Sequence, residues 1–191
     1  SAPYVMAPSL GTQQDNWTSQ FSAYREGYNA ELVEISNLRD PNKALNIRTI
    51  YKPEHDGGIT NVVLNWDAER ILFTATDTNK KWHVFEVNRD GSNFHQVIKI
   101  DEPDLEFFDA TYMPNGKIIA MTNIGYQGAA CEDGSYETGN MIEYNPETGA
   151  MRRLTFDQDD NWHPRVMNNG RLMYTRWEYT DLTHYYSRFV M

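Results

Sequence analysis

The stretch LTFDQDDNWHPRVMNNGRLMYTRW, from Leu154 to Trp177, decides the fold. An acidic segment leads into a tight turn at Asn168-Asn169-Gly170, and a strand of alternating side chains follows at 171–177. An Asn-Gly pair between two short apolar runs is a strong local signal for a β-hairpin, because a two-residue turn of the primed type needs positive φ at both centres. The stretch therefore predicts a β-hairpin with a primed turn.

The same pattern occurs three times along the chain. Residues 108–122, FDATYMPNGKIIAMT, repeat it, and residues 59–75, ITNVVLNWDAERILFTA, repeat it in degraded form. The basic residue that opens the second strand falls at Arg70, Lys117 and Arg171, 47 and 54 residues apart. A repeat of about 40 to 50 residues built from short strands is typical of β-propeller blades.

The predicted fold class is therefore all-β, a partial β-propeller of about three to four four-stranded blades that follows an extended N-terminal arm. The predicted boundaries are an arm at 1–28 and a partial propeller at 29–191, made of an outer half-blade at 29–56, blades at 59–100 and 108–156, and an incomplete blade at 162–191. Blades bury their faces against neighbours around a ring, so three and a half blades leave two apolar faces open. We expect the remainder of a longer chain, or else a protein partner, to complete the ring.

The composition limits the classes of partner and of chemistry. The formal net charge of −10 over 191 residues argues against nucleic acid or an anionic membrane, since both require clustered Lys and Arg. No apolar run has the length of a membrane span. Gly-x-Ser-x-Gly, phosphate-binding glycine loops and paired carboxylates at helical spacing are all missing from the sequence. We therefore expect no catalytic residues and no cofactor.

Two of the repeats carry a family resemblance. The strings ATYMPNGKII at 110–119 and PRVMNNGRLMY at 164–174 resemble the repeat of WD40-like, TolB-type β-propellers. The longer string from Asp160 to Asp181, DNWHP followed by NGRLMYTRWEYTD, resembles the propeller in the middle domain of hydrazine synthase alpha subunits and their secreted bacterial relatives. The resemblance covers about residues 59–191. It implies an exported bacterial protein, periplasmic, on the cell surface or extracellular.

The resemblance does not bring haem chemistry with it. In that alpha subunit the chemistry belongs to c-type haems held by Cys-x-x-Cys-His motifs. This chain has one cysteine, Cys131, and no such motif. A single cysteine cannot make an internal disulfide either.

A polar and aromatic patch is the candidate ligand-binding site. It follows the second strand of the last blade, at the same end as the loop at 123–139, so the two loops would line one rim. Tyr and Trp offer stacking area, and Arg offers a planar fork for carboxylate or phosphate. The predicted ligand-binding residues are Arg176, Trp177, Glu178, Tyr179, His184 and Tyr136. The alternative is a packed outer loop whose ion pairs are merely solvated.

His163, Asp160 and Cys131 are candidate metal ligands, because imidazole, carboxylate and thiolate are ligand groups. The position of His163 recurs as Asp109 in the preceding blade. A polar side chain there commonly ties neighbouring blades by hydrogen bonds. We therefore favour the structural role at this position over a metal site.

The sequence as a whole favours a non-catalytic platform that binds a small molecule, a glycan or a protein. One alternative is the accessory propeller domain of a multidomain oxidoreductase resembling hydrazine synthase alpha subunit, or of a propeller-bearing hydrolase. Another is a structural subunit whose ring closes only with a partner chain.

Overall fold

The described residues form antiparallel sheets that follow one another along the chain. A computed structural model describes residues 25–128, 137–177 and 188–190, with no helix among them. The first sheet has two strands, β1 (Leu32–Ser36) and β2 (Asn46–Tyr51). The second sheet has four, β3 (Ile59–Leu64), β4 (Arg70–Thr76), β5 (Trp82–Asn88) and β6 (His95–Gln96).

The remaining strands form a third and a fourth sheet. The third sheet has four strands, β7 (Phe107–Tyr112), β8 (Ile118–Thr122), β9 (Asn140–Tyr144) and β10 (Met151–Arg153). The fourth sheet has three described strands, β11 (Asn161–Val166), β12 (Leu172–Trp177) and β13 (Arg188–Val190). The predicted all-β class with successive blades is confirmed.

Apolar side chains hold adjacent sheets face to face. Leu32 of the first sheet packs on Phe73 and Phe85 of the second. Leu72 and Val84 of the second sheet meet Ala110, Ile118 and Ile142 of the third in the largest buried cluster. Met121 and Met141 of the third sheet lie against Leu172 and Tyr174 of the fourth. Successive side chains of a strand point to opposite faces of its sheet, so alternate residues of one strand pack in two different clusters, one against each neighbouring sheet.

The inner strands β3, β7 and β11 each carry a bulge at the same place. The register shifts between Thr60 and Val63, between Phe108 and Thr111, and between Trp162 and Arg165. Within each bulge one residue has a left-handed backbone: Asn61 at φ 51°, Asp109 at 48° and His163 at 52°. Side chains other than glycine rarely adopt this conformation, although Asn, Asp and His do so more readily than most. The repeat thus extends to a backbone feature that the sequence pattern does not reveal.

The turn of the inner hairpin differs from the predicted primed type. Gly170 has a φ of 78°, but Asn169 is not among the residues with positive φ. The N–H of Gly170 donates to the carbonyl of Met167 at 2.9 Å, and the N–H of Met167 donates to Arg171 at 2.8 Å. This is a longer turn that ends in one left-handed glycine. The prediction of two left-handed central residues is wrong, because a single glycine is enough to reverse this chain.

Several predicted elements differ in length or lie outside the described residues. The last strand of the predicted blade at 59–100 is only His95–Gln96, although Val97 and Ile98 beyond it are buried. The last strand of the predicted blade at 108–156 ends at Arg153. The predicted arm at 1–28 lies outside the described residues except for residues 25–28. Among the described residues, no helix is long and apolar enough to cross a membrane.

Candidate functional site

The bulges of the third and fourth sheets are tied to each other through Asp109. The backbone N–H of His163 donates to Oδ2 of Asp109 at 2.7 Å, and Nδ1 of the His163 ring lies 2.7 Å from the same oxygen. Nη1 of Arg165 lies 3.1 Å from Oδ1. The backbone N–H of Asp109 donates to Oγ1 of Thr74 in the second sheet at 3.0 Å. One fully buried residue therefore connects three successive sheets, through its backbone N–H to the second and through its carboxylate to the fourth.

Two acidic residues that directly precede inner strands each link two adjacent sheets, and we call these two contacts clasps. Glu106 immediately precedes β7 and accepts the N–H of Trp82, the first residue of β5, at 2.8 Å. Asp160 immediately precedes β11 and accepts the N–H of Gly139, just before β9. Both carboxylates are buried, so each secures the start of a third strand in the preceding sheet.

The two clasps differ in their electrostatic surroundings. Glu106 contacts the guanidinium of Arg25, and Nζ of Lys81 lies 3.5 Å away. Asp160 forms no ion pair with a cation among the described residues. Burial raises the pKa of Asp160 well above its ordinary value, the hydrogen bond from Gly139 opposes that shift, and the nearby Asp159 adds to it.

A groove on the inner strands is the candidate ligand site. This inner groove is lined by Val63, Leu64, Asn65, Trp66, Thr111, Tyr112, Arg165 and Val166, and its volume is about 320 Å³. Val63, Thr111 and Arg165 occupy the same register position in β3, β7 and β11, since they pair with Leu72, Ile119 and Met173. The groove therefore crosses three sheets, and the repeat supplies one side chain from each.

The inner groove combines an exposed aromatic ring with a guanidinium and a hydroxyl. The side chain of Trp66 is 67% exposed, and its ring centroid lies 6.5 Å from that of Tyr112. The hydroxyl of Tyr112 donates to Glu86 at 2.8 Å, and burial together with that carboxylate raises the pKa of Tyr112. Arg165 uses Nη1 for Asp109 and for its neighbouring carbonyl at Pro164, which holds the guanidinium in place. An anchored Arg beside an open indole face can bind a ring that carries an acceptor group.

The structure describes two of the six predicted ligand-binding residues. The Trp177 ring is fully buried with its centroid 6.4 Å from that of Trp162, so it packs in the core and offers no stacking surface. Arg176 pairs with Asp157, with Nη2 and Oδ1 2.9 Å apart. Glu178, Tyr179, His184 and Tyr136 lie outside the described residues.

The two candidate metal ligands within the described residues, His163 and Asp160, have different partners. His163 pairs with Asp109, and Asp160 accepts from Gly139. Cys131 lies outside the described residues. The described parts of the chain hold no group of three or more His, Cys, Asp or Glu side chains placed for a metal ion. The interpretation of His163 as a tie between blades agrees with its contact to Asp109.

The sequence alone does not identify Trp66 or Arg165 as candidate site residues. Trp66 stands in the least regular of the three repeats, and Arg165 stands inside a strand, where a charge gives no local sign of a site. The useful signal was the register: a position equivalent to Arg165 recurs in every repeat and faces the same groove.

The sheets and their repeated bulges define the fold as part of a β-propeller, and the described sheets do not close a ring. Among solved structures, the chain is similar to hydrazine synthase of Kuenenia stuttgartiensis, with a TM-score of 0.58 and 10% identity over 76% of this chain. It is also similar to TolB of Acinetobacter baumannii, with a TM-score of 0.49 and 16% identity over 76% of this chain.

These matches cover only a part of the similar proteins. The chain spans 25% of the hydrazine synthase chain and 35% of the TolB chain. At such low identity the likeness concerns the fold alone. No protein-family model and no curated protein matches the chain.

Proposed function

We propose that this chain is a non-catalytic binding platform whose inner groove takes a small ligand that carries both a ring and a carboxylate, such as an acidic sugar. The observation that carries the proposal is that one groove is lined both by an exposed Trp66 and by an Arg165 that Asp109 holds in place. A preorganised guanidinium fork loses less conformational freedom on binding a carboxylate than a free one does. The indole face then covers the apolar side of the ring.

The platform belongs to an exported bacterial protein in this proposal, and further protein completes its ring. The TolB-type repeats support export. The uncovered sheet faces and the small share of the similar chains that is spanned support completion by more protein. The net charge of −10 opposes long-range attraction of an anion, so recognition has to come from contacts inside the groove.

Three probes separate the two halves of the proposed ligand. Glucuronate has a ring and a carboxylate, glucose has only the ring, and acetate has only the carboxylate. We expect glucuronate to bind measurably better than either of the other two in titration calorimetry. The salt concentration should be about 0.15 M, where the Debye length is about 8 Å and the overall charge of the protein is largely screened.

Variants test whether binding occurs in the inner groove. Trp66→Ala should weaken glucuronate binding about fivefold or more, and Arg165→Lys should weaken it while it keeps a cation next to Asp109. Phe156→Ala is the matched control, because Phe156 is an aromatic residue of similar exposure outside the groove. Equal binding of all three probes, or an unchanged affinity in Trp66→Ala, would contradict the proposal.

A further inference from the structure

A second groove lies between the first and second sheets, at the end of the second sheet away from Trp66. Trp66 precedes β4, whereas this groove is formed around Thr76, the last residue of β4. The volume of this aromatic groove is about 390 Å³. Its lining residues are Tyr51, Lys52, Glu54, His55, Thr76, Asp77, Thr78, Phe85 and Phe94. None of them lines the inner groove, so the two sites can be tested separately.

Stacked rings form the apolar wall of the aromatic groove. The ring of Phe94, in the turn before β6, is stacked with Tyr51 of the first sheet and with Phe85 of the second, at centroid distances of 4.4 and 5.2 Å. The Tyr51 ring also contacts Phe73 of β4, with 5.2 Å between the centroids. These contacts fix Phe94, yet 43% of this residue is exposed. The wall therefore offers a rigid apolar surface that an apolar group of a ligand can cover.

Hydrogen bonds hold the polar wall of the aromatic groove in place. The hydroxyl of Thr76 donates to the carbonyl of Arg25 at 3.2 Å, and Nε2 of the His55 ring lies 3.2 Å from the same hydroxyl oxygen. A threonine hydroxyl has one hydrogen, so in its neutral form the His55 ring carries its proton on Nε2 and keeps Nδ1 as an acceptor. Oδ1 of Asp77 accepts two backbone N–H groups of the turn after β4, at 2.8 Å each. Groups that are fixed before a ligand arrives lose little conformational freedom on binding.

The charged side chains of the aromatic groove leave a negative charge without compensation. Nζ of Lys52 lies 2.7 Å from Oε1 of Glu31, so this cation already has its counter-charge. Glu54 is exposed, and it forms no ion pair and no hydrogen bond with another described residue. Its charge acts on the stacked rings, since burial and the Glu54 carboxylate both raise the pKa of Tyr51. A carboxylate beside an apolar surface fits a ligand that has a cation next to an apolar group.

We propose that the aromatic groove binds a small organic amine, with its apolar group on Phe94 and its ammonium group at Glu54. An ammonium group has N–H donors only, and the groove supplies acceptors in Glu54 and in Nδ1 of His55. The net charge of −10 attracts a cation to the chain. The proposal does not depend on the ligand of the inner groove, which carries the opposite charge.

Three probes that share one ring test the choice of charge. Benzylamine is a cation at pH 7, benzyl alcohol is neutral and benzoate is an anion. Each is titrated into the ¹⁵N-labelled full chain at about 0.15 M salt, where long-range attraction is largely screened. We expect benzylamine to shift the amide resonances of residues 51–55, 76–78 and 94, and to bind about threefold more tightly than benzyl alcohol. Benzoate that binds there as tightly as benzylamine, or an absence of shifts at these residues, would overturn the proposal.

Two pairs of variants locate the two halves of the ligand. Glu54→Gln should weaken benzylamine binding about threefold and leave benzyl alcohol unchanged. Glu147→Gln is the matched control, because Glu147 is an exposed carboxylate outside the groove and the change in net charge is the same. Phe94→Ala should weaken both probes, whereas Phe156→Ala removes an exposed ring outside the groove and should weaken neither. Equal effects within either pair would overturn the proposal.

Discussion

Nδ1 of His163 lies 2.7 Å from Oδ2 of Asp109, and the two residues occupy the same bulge position in neighbouring sheets. The two partners of this contact therefore come from equivalent positions in successive repeats. Asp109 is fully buried, whereas the His163 side chain is more than half exposed. A sheet-to-sheet bond of this kind fixes the rotation between two blades, because both of its ends stand on bulges with defined backbone geometry.

Asp109→Asn should destabilise the chain by about 2 kcal/mol. Asparagine tolerates the left-handed backbone at this position, so the change removes the charge and one acceptor while the bulge is kept. Asp101→Asn, at an exposed carboxylate, is the control. The measurement is the urea midpoint with its slope. Equal midpoints for the two variants would contradict the role given to Asp109.

Asp160→Asn should make the chain more stable at pH 8 and change little at pH 4. Burial raises the pKa of Asp160, so the folded state holds its proton to higher pH than the unfolded state does. The stability that protonated Asp160 contributes is therefore fully present below its unfolded pKa of about 3.8, and it is lost as the pH rises through its pKa in the folded state. Asparagine keeps an acceptor for the N–H of Gly139 and carries no charge. Urea midpoints of both proteins across this range test the sign, and a variant that is less stable at pH 8 would contradict it.

Glu106→Gln should act in the opposite direction to Asp160→Asn at neutral pH. Glu106 has Arg25 and Lys81 as partners, and the neutral amide leaves both cations without their buried counter-charge. A loss of about 1 to 2 kcal/mol is expected. Unfolding at pH 7 checks it, with Glu102→Gln as the exposed control. A gain in stability would show that the two clasps are electrostatically alike.

Ala68→Gly should stabilise the chain by about 1 kcal/mol. Ala68 has a φ of 59°, in the turn where the third and fourth sheets have Gly116 and Gly170. An L-residue costs about 1 to 2 kcal/mol in this conformation, and the flexibility of glycine in the unfolded chain offsets part of the gain. Gly116→Ala is the reciprocal variant and should lose a similar amount. Thermal unfolding measures both, and changes of the same sign in the two variants would contradict the assignment.

The repeat predicted the fold because its signals are local. Arg70, Lys117 and Arg171 each stand directly before the residue that pairs with the end of an inner strand, so the basic residue marks the same register position in all three sheets. The turn type was wrong because the Asn-Gly pair does not record how many residues precede the glycine in the turn. Asn61, Asp109 and His163 give no common sequence sign of a bulge, since they are three different residue types.

The site depended on contacts between sheets, which a single sequence does not report. Trp177 and Trp66 are both tryptophans in polar surroundings of the sequence, yet one is fully buried and the other is 67% exposed. Trp66 lies in the turn that follows β3, whereas Trp177 is the last residue of β12 and packs against Trp162. In the same way, Glu106 has its cations from distant parts of the chain, while Asp160 pairs with no cation within the described residues.

Fluorine NMR of the chain labelled with 5-fluorotryptophan tests the inner groove most directly. Trp66→Phe assigns the Trp66 resonance, and glucuronate is then titrated into the labelled protein. The account predicts that the Trp66 resonance shifts, while those of the buried Trp82, Trp162 and Trp177 stay in place. A titration that moves a buried tryptophan and leaves Trp66 unchanged, or one that moves none, would contradict the claim that the inner groove is the binding site.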